Sequence, residues 1–300
     1  MKRKKHSVDD IPELIAPRQI NWFPGHMNKA LKKIKENLKL VDIVLEIRDA
    51  RSPLVTANKD FNHDIRQKNR LIVINKTNLA DPKVVELWED WFSTQDVPYI
   101  FINCFDKGSL QKIIQLSRKI VRNNILQSNP NHISKNALRL MIVGLPNTGK
   151  STIINRLSNR NATKIADIPG YTQKLLWVKV DKDIEVLDTP GIMPPKIEKH
   201  EHGLWLSAIH AIPDKIVEPE YAACYVVEHL SKIKSEIFKD LYKMTTLDTD
   251  LVGTLDQIAK SRGYIQKKNE YDYDRVYKTV LSDFRSGNLG LISFGLPPKK

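Results

Sequence analysis

Cysteine is nearly absent: Cys104 and Cys224 are the only two in 300 residues. They lie far apart, with neither a metal-ligand spacing nor a disulfide framework, which argues against a cysteine-stapled secreted scaffold and suits a reducing compartment. Long apolar runs are missing as well, and nothing in the chain is long enough to span a bilayer, so no integral membrane association is expected. The start, Met1-Lys2-Arg3-Lys4-Lys5-His6, leads into no apolar signal core, and Asp9, Asp10 and Glu13 follow at once. That pattern fits neither an export signal nor an acid-poor transit peptide, so the cytoplasm is the default location, with an organellar matrix left open. Acid is scarce in one long stretch: from Phe105 to Lys164 there are eleven Lys or Arg and a single acid, Asp106. This stretch carries most of a formal net charge of +13. Such an excess points to a polyanionic partner, nucleic acid or an acidic membrane surface; the plainer alternative is a solvated basic face.

What is present begins with Gly144-Leu145-Pro146-Asn147-Thr148-Gly149-Lys150-Ser151, a full match to the phosphate-loop pattern G-x-x-x-x-G-K-[ST]. The apolar run Leu138, Leu140, Met141, Ile142, Val143 reads as a buried strand entering the loop, and a helical pattern leaves it. Backbone N–H groups and the positive end of the helix would cradle phosphate oxygens. Lys150 would bridge the terminal phosphates and Ser151 would hold Mg²⁺. Asn147, Thr148, Gly149 and Thr152 complete the nucleotide-contacting set expected here.

The rest of the chain reads as two domains. Residues 1–19 are polar and basic, with Pro12 and Pro17, and form a flexible arm. Asn28 to Leu40 is a Lys-rich amphipathic helix with Leu31, Ile34 and Leu38 on one side. Strand-like runs at Val41–Ile47, Leu71–Ile74 and Tyr99–Ile102 alternate with helical ones at Pro82–Phe92 and Leu110–Ile125, the signature of a parallel sheet covered by helices. After a polar connector, Gln127 to Asn136, come the phosphate-loop strand and helix, then two strands, Leu175–Val180 and Ile184–Leu187, turning at Asp181-Lys182-Asp183. Beyond Pro194 and Pro195 the chain reads as helix: Tyr221–Lys243, Leu251–Arg262 and Tyr273–Phe284, with Gly263 and Gly287 as stops. The division expected is an α/β domain over 20–200 and an all-helical domain over 201–300, with no internal repeat.

Two further motifs narrow the chemistry. Asp188-Thr189-Pro190-Gly191 ends a strand downstream of the phosphate loop; an Asp there reaches Mg²⁺ through water, and the Gly191 amide reaches a γ-phosphate, so the segment senses whether that phosphate is present. Between the two, Thr172 in Pro169-Gly170-Tyr171-Thr172 is placed to complete the Mg²⁺ shell. The guanine-reading motif of GTPases is Asn-Lys-x-Asp at a strand end, and the candidate here is Asn75-Lys76-Thr77-Asn78. It precedes the phosphate loop, whereas an ordinary G domain has it afterwards. Circular permutation accounts for the order, because a parallel sheet fixes where strand ends lie whatever the chain's opening point.

These motifs together with Trp22-Phe23-Pro24-Gly25-His26-Met27-Asn28-Lys29-Ala30 and Asp49-Ala50-Arg51-Ser52-Pro53 resemble the YlqF/RbgA family of circularly permuted GTPases. The likeness runs from about Ile20 to Phe294 and includes Arg262-Gly263 and Asp283-Phe284-Arg285-Ser286-Gly287. The fold it implies is a circularly permuted P-loop GTPase domain with a Rossmann-like parallel sheet, followed by an all-helical C-terminal domain. The activity it implies is hydrolysis of GTP to GDP by a monomeric factor of late large-subunit assembly, bound to the large ribosomal subunit precursor and its rRNA and released on hydrolysis. A different class stays open beside it: an RNA-binding scaffold stabilised by nucleotide, with incidental hydrolysis.

Three positions depart from the pattern. Asn78 replaces the base-reading Asp and forfeits one of the paired bonds to guanine, at about 1.5 to 3 kcal/mol; Asn75, Lys76 and the loop at Asn103-Cys104 are left to supply the rest. Ile192 follows Gly191 where many GTPases carry a water-orienting Gln, so intrinsic hydrolysis is expected to be slow. By resemblance, His26 is the catalytic candidate, brought in when the large subunit docks; packing of the Trp22 turn is the bland alternative. Thr148 stands where the family has Val, and little effect is expected. Asn147 resembles the loop Asn of potassium-activated GTPases, which makes it a K⁺ ligand or, more simply, a loop stabiliser.

Overall fold

The computed structural model describes residues 25–59, 61, 68–128, 137–159, 175–266 and 270–299, with backbone alone for His26 and 126–128. The N-terminal arm, the Trp22 turn and Thr172 lie outside the described residues. Two compact units emerge, one built from 22–196 together with 293–300, the other from 197–292.

Among the described residues the first unit holds six strands: β1 (Ile43–Asp49), β2 (Asn69–Asn75), β3 (Tyr99–Phe101), β4 (Leu138–Gly144), β5 (Leu176–Asp181) and β6 (Ile184–Asp188). Their order is β3-β2-β1-β4-β6-β5, parallel throughout except for the β5–β6 hairpin. Both faces are covered, which is why the central strands are near-continuous apolar runs rather than alternating ones. Leu71 and Val73 pack toward Ile113, Ile153 and Ile154 on one side. Ile72 and Ile74 pack toward Trp88 and Phe92 on the other.

The strands extend into polar residues that an apolar pattern does not mark. β1 runs on through Arg48 and Asp49, and β2 through Asn75, because ladder bonds hold the backbone whatever the side chain. The consequence is functional. Asp49 pairs in register with Asn75, Ile47 with Gly144, and Ile142 with Asp188, so the carboxyl ends of four strands share one edge. In open parallel sheets that edge is where ligands bind.

Helix α1 (Gly25–Asn37) precedes β1 in the chain, and helices α2 (Pro82–Ser93), α3 (Lys107–Ser128) and α4 (Lys150–Leu157) cover this sheet. α1 buries Met27, Ala30 and Ile34 and leaves Lys29, Lys32, Lys33 and Lys35 exposed. α2 starts as its sequence dictates, with Pro82 in the first turn and Asp81 accepting the Lys83 N–H (3.0 Å). α3 begins three residues ahead of the expected Leu110, because Asp106 caps it by accepting the N–H groups of Gly108 (3.0 Å) and Ser109 (3.1 Å). The single acid of the basic stretch is thus spent on a helix start.

The second unit is helical: α5 (His200–Ala208), α6 (Pro219–Ile233), α7 (Ser235–Tyr242), α8 (Leu251–Arg262) and α9 (Tyr273–Ser286). One long helix over Tyr221–Lys243 is not formed. The chain breaks at Lys234 (φ −131°, ψ 37°), which turns Phe238 and Tyr242 into the core while Ile233 stays exposed. The Tyr242 hydroxyl then donates to Asp283 (3.1 Å), whose other oxygen accepts from the Asn288 amide (2.9 Å). Gly263 and Gly287 stop α8 and α9 in the left-handed conformation expected of them. Arg285 donates to the carbonyls of Ala208 (2.9 Å) and Ser207 (3.2 Å), closing the end of α5. The segment Asp283-Phe284-Arg285-Ser286-Gly287 is therefore a set of packing and capping devices for this unit.

Candidate nucleotide site

The loop from β4 into α4 places Gly144 to Ser151 at the ligand edge of the sheet. Gly149 sits at φ +100°, and a Cβ there would overlap Asn75 Nδ2, so this position excludes every side chain on two counts. Asn147 also has positive φ (57°), which Asn tolerates better than most residues. Lys150, Ser151 and Thr152 form the first turn of α4. Lys150 is buried, and its ammonium donates to Leu145 O (2.7 Å). The Thr148 hydroxyl donates to the same carbonyl (3.0 Å), a bond that Val could not make, so Thr148 adds a fastening inside the loop.

Asn75 closes the site from the other half of the permuted chain. Its Nδ2 donates to Thr148 O (3.0 Å), and its Oδ1 accepts the Cys104 N–H (3.1 Å). The side chain is first a tie between phosphate loop and the loop after β3, with one Nδ2 hydrogen left over. Lys76, at φ +68°, reaches back to donate to Asn147 O (2.5 Å) and pairs with Asp49 Oδ2 (3.2 Å). Asn78 is exposed in the short 3₁₀ turn Thr77–Leu79 that follows. Asn103 Oδ1 accepts the Phe105 N–H (3.0 Å), shaping the loop that presents Cys104. Burial raises the Cys104 thiol above its ordinary pKa, so it is a neutral packing residue there.

Asp188, at the end of β6, is buried, and its Oδ1 has no hydrogen-bond partner among the described residues. Burial pushes its carboxyl up to about 6, against the pull of Lys150. The same burial brings Lys150 down to about 8, with Asp188 opposing and Lys76 reinforcing the shift. Each charge is under-compensated, which is the condition of a pocket built for further ions: phosphate oxygens beside Lys150, a divalent cation beside Asp188. Gly191 lies against the phosphate loop, since a Cβ there would come within 2.7 Å of Pro146 N and Cα. The next residue, Ile192, donates its N–H to Gly144 O (3.2 Å) and accepts from the Asn58 amide at its carbonyl (3.1 Å). His26 falls in the first turn of α1.

Sequence reasoning assigned no role to the Asp49–Arg51 turn. Asp49 accepts from Arg51 N (3.1 Å), Nε (3.0 Å) and Nη2 (2.8 Å) as well as pairing with Lys76. Burial alone would raise the Asp49 carboxyl, yet Arg51 and Lys76 hold it well below the usual carboxylate range. The available signal was the Asp-Ala-Arg sequence at the end of a strand beside the base motif.

A parallel sheet with a phosphate loop, a downstream Asp-x-x-Gly segment and a base motif that precedes both defines a circularly permuted P-loop GTPase. The comparisons agree. The family described as a 50S ribosome-binding GTPase matches residues 139–250. "Ribosome biogenesis GTPase A" of Bacillus licheniformis is 36% identical over 278 residues, covering 93% of this chain and 98% of that protein. "Mitochondrial GTPase 1" of Aedes aegypti is 35% identical over 296 residues, covering 91% of this chain and 92% of that one. Among solved structures, GNP-bound YlqF from T. maritima aligns with a TM-score of 0.60 at 25% identity, covering 89% of this chain and 98% of that one. The chain belongs to the YlqF/RbgA family of ribosome biogenesis GTPases.

Proposed function

We propose that this protein binds GTP at Gly144–Ser151 and hydrolyses it in the course of late large-subunit assembly, binding precursor rRNA and leaving on hydrolysis. The observation that carries the reading is Asn75, whose one amide joins the phosphate loop, 73 residues on, to the base-side loop, 29 residues on. A base motif tied in this way to a phosphate loop reports on one ligand that has both a base and phosphates.

In this reading Lys150 exchanges Leu145 O for phosphate oxygens, and the amides of Asn147 to Thr152 surround them. Ser151, Thr172 and Asp188 would hold Mg²⁺, which neutralises charge on the β- and γ-phosphates; Asn147 is the candidate for K⁺. Lys76, locked by Asp49, lies along the base side, and Asn78 with the Asn103–Cys104 loop meets the guanine edge. The Gly191 N–H meets the γ-phosphate, and the chain runs directly from there to the helical unit, so loss of that phosphate is passed onward. Ile192 is buried and apolar and cannot orient water, so turnover is slow in isolation, and His26 supplies that role when the large subunit is engaged. The exposed lysines of α1 and the Lys107, Lys112, Lys119 and Arg122 face of α3 meet rRNA phosphates, largely without reading sequence. The protein acts as a monomer in the cytoplasm, on the ribosome. Its G domain comprises 22–196 with 293–300, so the expected 201–300 helical domain narrows to 197–292, the unit that contacts the ribosome together with the basic arm over 1–19.

The buried Ile192 also favours a second reading, a nucleotide-stabilised RNA scaffold. Turnover of GTP, XTP and ATP with and without large subunits separates the two. The enzyme reading expects strong stimulation by subunits and a preference for GTP and XTP over ATP. Salt-dependent RNA binding without stimulation establishes the scaffold, and equal ATP and GTP use overturns the base assignment. His26→Ala is expected to lose the stimulation while keeping GTP affinity; unaltered turnover on subunits removes His26 from catalysis.

A further inference from the structure

The chain leaves the α/β unit after Lys196, shortly past Gly191, and returns to it at Ser293. The return is anchored at two points. The Phe294 N–H donates to Arg51 O (2.6 Å), and Ser293 Oγ accepts the Asp81 N–H (3.0 Å). Phe294 is 3% exposed, whereas Leu296, two residues on, is 66% exposed, so the anchor is local. Both attachment points bracket the base-side segment. Arg51 belongs to the turn whose Asp49 fastens Lys76, and the Ala50 N–H donates to Asn75 O (2.7 Å). Asp81 is the residue on which the Asn75–Ala80 segment ends and α2 begins.

We propose that Ser293 and Phe294 are positioning residues for base recognition, a brace that holds the Asp49–Arg51 turn and the Asn75–Asp81 segment in the geometry that Lys76 and Asn78 require. The inference rests on reading Asn75–Asn78 as the base motif. The tail presents no group of its own to the nucleotide; it acts through Arg51 and Asp81. Among the described residues the chain passes between the two units twice, once on the phosphate side after Gly191 and once on the base side at Ser293. Tension on the helical unit therefore has a route to each end of the nucleotide. The anchor lies outside the β-ladder and rests on two hydrogen bonds and one buried ring, so weakening it loosens the brace without unfolding the sheet.

The test compares full-length Phe294→Ala, Phe294→Leu and Ser293→Ala, and a chain ended after Ile292, with the parent protein. Titrations use fluorescent GDP with GDP, IDP and pyrophosphate as competitors. Ser293→Ala removes one hydrogen bond and the shortened chain two, corresponding to about threefold to tenfold weaker GDP binding, whereas Phe294→Ala keeps its N–H and loses the buried ring that seats it. The IDP-to-GDP ratio of Kd values is expected to fall toward one, because the 2-amino group is no longer read, while pyrophosphate binding is unchanged and Phe294→Leu recovers most of the GDP affinity. Parent-like GDP affinity and ratio in the truncated chain overturn the brace, as does a proportional loss of GDP and pyrophosphate binding, which marks general destabilisation. A parent protein that does not discriminate GDP from ADP overturns the base reading and the brace together.

Discussion

Replacing Gly149 by Ala perturbs the joint between the two halves of the permuted site. The backbone is at φ +100°, and holding an L-residue in left-handed space costs about 1–2 kcal/mol. The added methyl also takes the place of Asn75 Nδ2, which must move and release Thr148 O and the Cys104 N–H. Two buried groups left unpaired cost about 2–4 kcal/mol together, so Gly149→Ala is expected to lose about 3–6 kcal/mol. Asn75→Ala alone loses the same two bonds, about 2–4 kcal/mol, but keeps the backbone relaxed. In the double variant the methyl meets no amide, so only the backbone term is added to the Asn75→Ala loss. The double variant should then be no less stable than Gly149→Ala, a coupling of about 2–4 kcal/mol in its favour. Urea unfolding of the four proteins without nucleotide measures this directly, and GDP titration is expected to show binding lost wherever Gly149 is changed. Additive losses within about 0.5 kcal/mol would refute the argument that Asn75 is what Gly149 accommodates.

Proton linkage provides a second check. Asp188 is raised from 3.8 to about 6, so the folded, nucleotide-free site favours its protonated form, a contribution present below pH 3.8 and lost as pH rises through 6. Lys150 is lowered from 10.5 to about 8, so the fold favours the neutral amine and loses stability as pH falls through 8. Between those values both buried groups are charged and the empty pocket is at its least stable. Calorimetry in buffers of different ionisation heat should show net proton release on Mg²⁺–GDP binding near pH 5.5 and net uptake near pH 8.5; no exchange at either pH contradicts the burial argument. At the base, Asn78→Asp restores the charged acceptor and is expected to tighten GTP about tenfold to a hundredfold while weakening XTP, read by competition titration. An unchanged GTP-to-XTP ratio removes Asn78 from the guanine edge.

The chemistry of the phosphate loop was legible because it is local. Gly149, Lys150 and Ser151 are adjacent, and their strand–loop–helix setting is written in the residues on either side. Helix stops were legible at Gly263 and Gly287 for the same reason, since the left-handed conformation belongs to a single residue. The break at Lys234 was not, because helical periodicity continues across it, and what it achieves, the burial of Phe238 and Tyr242, involves residues far along the chain. Asn75 was legible as a motif member but not as a tie, for its partners at Thr148 and Cys104 are adjacent only once the sheet has formed.

Apolar period and motif order are properties of the chain, and they suffice for the parallel α/β sheet, the permuted order of its motifs and the helical unit that follows. Tertiary structure alone decided which residues hold the site together. The register of β1 against β2 and β4 brings Asp49 to Lys76 and Asn75 to Thr148, and the returning tail sets Phe294 on Arg51. Those contacts depend on ladder alignment and chain return, which no local pattern encodes.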